Sequence, residues 1–118
     1  MQRRLTAVLA ADVVGYSRLM AEDESGTLEI LKRIQTKIFS PTIAHHGGRI
    51  VKLMGDGALV VMPSANDAVE AALSIQRAMA AKPDFPRLRI GIHIGDVIRE
   101  GSDIYGDSVN VAARLEAM

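Results

Sequence analysis

The run Met54-Gly55-Asp56-Gly57 is the tightest constraint on how this chain can fold. It separates two short segments rich in aliphatic residues, Arg49 to Leu53 and Ala58 to Met62. Glycine reaches the positive-φ backbone that short hairpins need, so the two runs read as antiparallel strands joined by a tight turn. The flanking segments then set the architecture. Upstream, Leu5 to Ala11 is a run apolar but for Thr6 and ending at Asp12, the pattern of a strand buried on both faces. Val13 to Ser17 reads as a tight turn into a helix, with Leu28, Leu31, Ile34 and Ile38 at helical spacing. Pro41 is expected to kink or break that helix. His46-Gly47-Gly48 is expected to end it through a left-handed glycine.

Downstream, Ser64-Ala65-Asn66-Asp67 opens a second helix much as a capping box does. Val69, Leu73, Ile75 and Met79 give it an apolar face, and Met54 and Met62 read as core. Pro83 and Pro86 bracket a loop, Leu88, Ile90, Ile92 and Ile94 alternate as a fourth strand, and Gly106 to Met118 reads as a third helix. Strand, helix, strand, strand, helix, strand is the ferredoxin-like βαββαβ order, an α+β sandwich of an antiparallel sheet with helices. In that topology the first and third strands are neighbours at the sheet centre. The end of strand one, Asp12, then lies beside the turn that carries Asp56.

Length and composition bound the rest. The 118 residues suit one domain over 1–118, and 48% of them are apolar, enough for a core. With two Phe, two Tyr and no Trp, aliphatic side chains and Met must fill it. Zero formal net charge lacks the basic footprint of a nucleic-acid binder. The absence of Cys excludes a disulfide framework and thiolate metal sites, and fits a cytoplasmic setting. The apolar run near the N-terminus is too short to cross a bilayer, so no membrane contact by this domain is expected. The last residues, Val109 to Met118, run in a helical pattern without a capping signal, which reads as a piece of a longer chain.

Several positions carry chemistry. Two aspartates converging at a strand end and a hairpin suit Mg²⁺ or Mn²⁺, hard cations that take oxygen ligands and leave positions for phosphate oxygens. Such a pair could activate an attacking hydroxyl and neutralise a leaving pyrophosphate. The plainer reading is that Asp12 caps a helix and Asp56 serves its turn. Backbone N–H groups of the turn Val14, Gly15, Tyr16 and Ser17, at the start of a helix, can hold a triphosphate. A Lys donor and an Asp acceptor, Lys52 and Asp103, match the N1 acceptor and N6 donor of adenine; two unrelated surface charges are the alternative. Asn110 and Arg114, four apart, share one helix face, where Asn can hold a ribose oxygen and Arg can stabilise charge at phosphorus.

Together these stretches resemble the class III adenylyl/guanylyl cyclases. The resemblance rests on Ala11-Asp12-Val13-Val14-Gly15-Tyr16-Ser17, Lys52-Leu53-Met54-Gly55-Asp56-Gly57, Arg89-Ile90-Gly91-Ile92-His93-Ile94-Gly95 and the run from Asp103 to Arg114, in the family's order along essentially the whole chain. It implies conversion of ATP to 3′,5′-cyclic AMP and pyrophosphate. By that resemblance Asp12 and Asp56 hold two Mg²⁺ or Mn²⁺ ions per site, with the Val13 carbonyl as a further ligand. Lys52 and Asp103 select adenine, Asn110 orients the ribose and Arg114 stabilises the transition state. The site would form between the subunits of a homodimer, one giving the metal pair and phosphate turn, the other Lys52, Asp103, Asn110 and Arg114. The family domain continues into further strands that carry a phosphate-binding Lys, so the resemblance also implies a domain incomplete at its C-terminus. The alternative is a nucleotide-binding or dimerisation fragment without turnover. A diguanylate cyclase is disfavoured, because no Gly-Gly-Asp/Glu-Glu-Phe run occurs.

Overall fold

The structure, a computed structural model, describes residues 2–100 and 103–105. Its centre is β1 (Gln2–Val13), which runs antiparallel to β3 (Gly57–Met62) on one side and β4 (Leu88–Glu100) on the other. With β2 (Arg49–Met54) and β5 (Asp103–Tyr105) the strand order is β2-β3-β1-β4-β5. The first four strands therefore take the expected ferredoxin-like arrangement, with strands one and three side by side.

From Ala7 to Ala11 both faces of β1 are buried, which is why that stretch is continuously apolar rather than alternating. Ala7, Leu9 and Ala11 face the helices, where Val60, Met62, Ile43, Phe39 and Ile75 complete the main core. Val8 and Ala10 face the other way and pack with Leu59.

The long helical segment departs from expectation at Pro41. The chain forms α1 (Tyr16–Glu22) and α2 (Glu24–Arg33), a π-helical turn over Ile34–Phe39, then α3 (Ser40–His45), so the helix runs through the proline. Proline removes one N–H and crowds the carbonyl four residues back. The π turn directly ahead of it, where the Ser40 N–H reaches the Gln35 carbonyl, widens the helix by one residue and relieves that crowding. The real break lies at Asp23, whose extended backbone (φ −157°) separates α1 from α2 and whose side chain accepts the Gly26 N–H at 3.0 Å. The exit at His46 to Gly48 is as expected. Gly47 is left-handed (φ 76°), and Gly47 and Gly48 return N–H bonds to the carbonyls of Ala44 and Ile43, a Schellman ending.

Ser64 caps α4 (Ala65–Ala80) as expected, accepting the Asp67 N–H at 3.1 Å while its hydroxyl donates to the Asp67 carboxylate at 2.8 Å. The buried face of α4, however, is Ala68, Ala71, Ile75 and Met79, and Val69 and Leu73 are exposed. Small alanines let the helix lie close to the sheet, and this outweighs the larger apolar side chains on the next face. Leu28 likewise points outward, and Met54, at the hairpin, is exposed while Met62 is core.

β4 continues to Glu100, beyond the alternating stretch, because Asp96 to Arg99 still pair with Leu5 to Gln2 of β1. It then turns back into β5, a strand of three residues that the sequence pattern did not predict. The sheet coils so far that β5 approaches β2, from the opposite edge, to Cα separations of 8 Å or less. The expected helix from Gly106 to Met118 lies outside the described residues. Among the described residues no helix is long and apolar enough to cross a membrane.

Candidate active site

The strand pairings carry two distant aspartates to one place. Ala11 of β1 pairs with Ala58 of β3, so the residues that follow Ala11 lie beside the turn that precedes Ala58. That turn is tight, with Met54 pairing with Gly57 and Gly55 at φ 56°. A positive φ at the first central position, as in a type II′ turn, follows the twist of the two strands. Asp56 projects from it and accepts the Val13 N–H through Oδ2 at 3.0 Å, across 43 residues of sequence. Asp12 stands immediately before Val13, so its backbone lies beside the turn that carries Asp56. Val13 itself is buried and both aspartates are half-buried.

Arg89 joins this pair. As the second residue of β4 it stands in register with Asp12, and directly opposed residues on antiparallel strands project to the same side. Its Nε donates to Asp12 Oδ1 at 2.9 Å and its Nη2 to Oδ2 at 3.1 Å, a forked contact with both oxygens. Sequence reasoning quoted Arg89 within a motif but gave it no role. Its signal was positional: counting the antiparallel register back from the alternating strand places it opposite Asp12.

The donor set fits a hard divalent cation held partly by substrate. A carboxylate has about four lone-pair positions, so the Arg89 fork leaves acceptor capacity on Asp12. Asp56 Oδ1 accepts no hydrogen bond among the described residues. Those residues contain no cluster of three or more His, Cys, Asp or Glu. Two carboxylates and a neighbouring backbone carbonyl suit Mg²⁺, which prefers one or two carboxylates plus phosphate oxygens and water to an all-protein cage.

The turn after Asp12 departs from expectation at its first residue, whose N–H is already engaged. Val14 donates its N–H to the Arg87 carbonyl at 2.9 Å, and Gly15 is left-handed (φ 72°, ψ 24°) as α1 begins. No side chain caps that helix start. Tyr16 is half-buried and Ser17 exposed. A Cβ added at Gly15 would come within 3.3 Å of the Arg18 guanidinium, so a cation lies over this turn.

Lys52 is half-buried on β2, at a bulge: Ile50 pairs with Val60 and Lys52 with Leu59, leaving Val51 as an extra residue. Asp103 opens β5, the strand that coils back toward β2. The fold thus brings together the two elements on which Lys52 and Asp103 stand. Asn110 and Arg114 lie outside the described residues.

Comparison with known proteins adds to this geometry. Residues 2–118 match the family model described as the adenylate and guanylate cyclase catalytic domain. A relative from Rhizobium meliloti (strain 1021), provisionally named adenylate cyclase 3, is 49% identical over 99% of this chain and 21% of its own length. An adenylate cyclase from Streptomyces coelicolor is 40% identical over 98% of this chain and 30% of its own. This chain thus spans less than a third of either relative. The crystal structure of an adenylate/guanylate cyclase/hydrolase from Silicibacter pomeroyi superimposes with a TM-score of 0.91 at 48% identity, over 98% of this chain and 71% of that one.

Proposed function

This chain belongs to the adenylate and guanylate cyclase catalytic domain family, and we propose that it is the catalytic domain of an adenylate cyclase, forming 3′,5′-cyclic AMP and pyrophosphate from ATP. The observation that supports this reading is the Asp56 carboxylate bound to the Val13 N–H directly beside Asp12, with Arg89 seated on Asp12. In the reaction the ribose 3′ oxygen bonds to the α-phosphorus, the bond from that phosphorus to the β-phosphate bridging oxygen breaks, and pyrophosphate leaves.

Asp12, Asp56 and the Val13 carbonyl would hold two Mg²⁺ or Mn²⁺ ions. Bound there, the ions lower the pKa of the attacking hydroxyl and offset charge on the phosphates. The chain's own groups do the positioning. Asp56 is oriented by the Val13 N–H, and Asp12 by the fork of Arg89. The backbone of Gly15, Tyr16 and Ser17 receives the triphosphate, Val14 only lining the turn because its N–H is held by the Arg87 carbonyl, with Arg18 and Arg89 supplying positive charge nearby. Lys52 and Asp103 read the adenine edge. Asn110 holds the ribose and Arg114 stabilises charge developing at phosphorus. In this reading two copies of the chain assemble each site, one offering the aspartates and phosphate turn, the other Lys52, Asp103, Asn110 and Arg114.

The test is Asp12→Asn and Asp56→Asn in the full-length protein, assayed for cyclic AMP and pyrophosphate with Mn²⁺-ATP. Each change removes a charged ligand at nearly constant size, so turnover should drop by orders of magnitude. Near wild-type activity of either variant at saturating Mn²⁺ refutes the assignment.

A further inference from the structure

Beneath the Asp56 turn, on the helix side of the sheet, lies a cavity of about 230 Å³. Leu28, Leu31 and Phe39 wall it from the helical segment, and Leu53 and the Gly55–Gly57 backbone from the hairpin. Leu28 and Leu53 keep 48% and 50% of their surface in water, so large apolar groups stand unpaired at a gap. Lys32 and Gln35 line the same cavity. Lys32 is exposed and makes no ion pair among the described residues. Gln35 belongs to the π turn ahead of Pro41, a distortion often found at functional sites.

We propose that this cavity binds an amphipathic monocarboxylate, its hydrocarbon body between α2 and the β2–β3 hairpin and its carboxylate on Lys32. Size and charge set the ligand class. A cavity of about 150 Å³ accepts benzene, so this one takes a chain of roughly eight carbons. An ammonium can only donate hydrogen bonds, and a carboxylate is its natural acceptor. Asp56 also lines the cavity and repels an anion, which leaves the Lys32 side for the head group. A multiply charged head such as phosphate would find one cation where it needs several. Because the Gly55–Gly57 backbone forms a wall, occupancy registers on Asp56 and on the Val13 amide that Asp56 accepts.

The experiment is a titration of the ¹⁵N-labelled chain with octanoate, followed by amide resonances. Saturable shifts should appear at Leu31, Gln35 and Val13, with a dissociation constant on the order of a millimolar or below. Lys32→Met should weaken octanoate about fivefold, the upper range for a solvent-facing ion pair, and leave 1-octanol unaffected. Leu53→Trp should fill the opening and abolish binding of both. Both positions are exposed, and melting curves check that the variants fold. The proposal is overturned by a lack of saturable shifts, by 1-octanol binding as tightly as octanoate, or by full affinity in Lys32→Met. It is equally overturned if octanoate splits a dimer in sedimentation, which would make this face a subunit contact. None of these readouts requires turnover, so the site stands or falls separately from cyclase activity.

Discussion

Replacing Arg89 by Met should destabilise the domain by about 1–2 kcal/mol. The structure gives the fork two charge-assisted hydrogen bonds, 2.9 and 3.1 Å long. A hydrogen bond to a charged group contributes roughly 1.5–3 kcal/mol when well shielded. Here the Asp12 side chain is 20% exposed but that of Arg89 is 39% exposed, so water screens part of the interaction and the lower range applies. For a domain of this size, about 1 kcal/mol moves the melting temperature by roughly 3–5 °C. Lysine at position 89 keeps the charge but not the planar fork, and should recover only part of the loss. A double-mutant cycle isolates the pair: Arg89→Met, Asp12→Asn and the double variant, each unfolded in urea at constant m-value. The coupling energy should be about 1 kcal/mol. A coupling below about 0.3 kcal/mol, or an Arg89→Met protein as stable as the parent, would show that the fork does not hold Asp12, and with it the argument that β4 orients this carboxylate.

Three further outcomes are expected. Mixing an Asp12→Asn protomer with an Arg114→Ala protomer of the full-length protein should restore activity that each lacks alone; an inactive mixture after demonstrated subunit exchange rules out shared sites. Wild type should prefer ATP over GTP by roughly a hundredfold, since guanine would leave two polar groups mispaired at about 1–3 kcal/mol each. Lys52→Glu with Asp103→Ala should relax that ratio of kcat/KM, and an unchanged ratio would exclude these residues as base readers. Ser64→Ala removes the bond that caps α4 and should cost about 1 kcal/mol in urea unfolding; no loss would mean that the Asp67 N–H finds another acceptor.

The sequence disclosed those parts of the fold that depend on local chemistry. Glycines at 47 and 55 announced a helix exit and a hairpin because both positions need positive φ. Ser64 announced a cap because its hydroxyl replaces a missing carbonyl partner. The strand order followed from the alternation of elements, and the placement of the end of β1 beside the Asp56 turn followed from the strand order. What stayed hidden depends on packing. Which face of α4 is buried was decided by how closely Ala68 and Ala71 let it approach the sheet, not by how apolar Val69 and Leu73 are. Pro41 was absorbed by a π turn, a response set by the helix around it. β5 is too short to have a periodicity and exists through its pairing with β4. Arg89 lacked a local signal because its meaning lies in a partner 77 residues away.

The distribution of these residues over the sheet bears on the proposed mechanism. Asp12 stands near the end of the central strand, between β3 and β4, and its carboxylate is held from one of those neighbours by Arg89. Asp56 is tied to the same strand through Val13. Groups meant to face multiply charged ions and phosphates gain most from rigid, half-buried placement, because preorganised charges need not reorganise during the reaction. Lys52 and Asp103 stand instead on β2 and β5, the outermost strands. An edge strand can reach toward another chain, whereas a central strand is enclosed by its own sheet. A site assembled across a subunit boundary calls for that division, with the metal-holding half fixed inside one protomer and the base-reading half carried on its rim. Under the proposed mechanism, the coil that brings β5 back toward β2 would set the two strands that carry Lys52 and Asp103 near one another, where a partner's nucleotide could meet both.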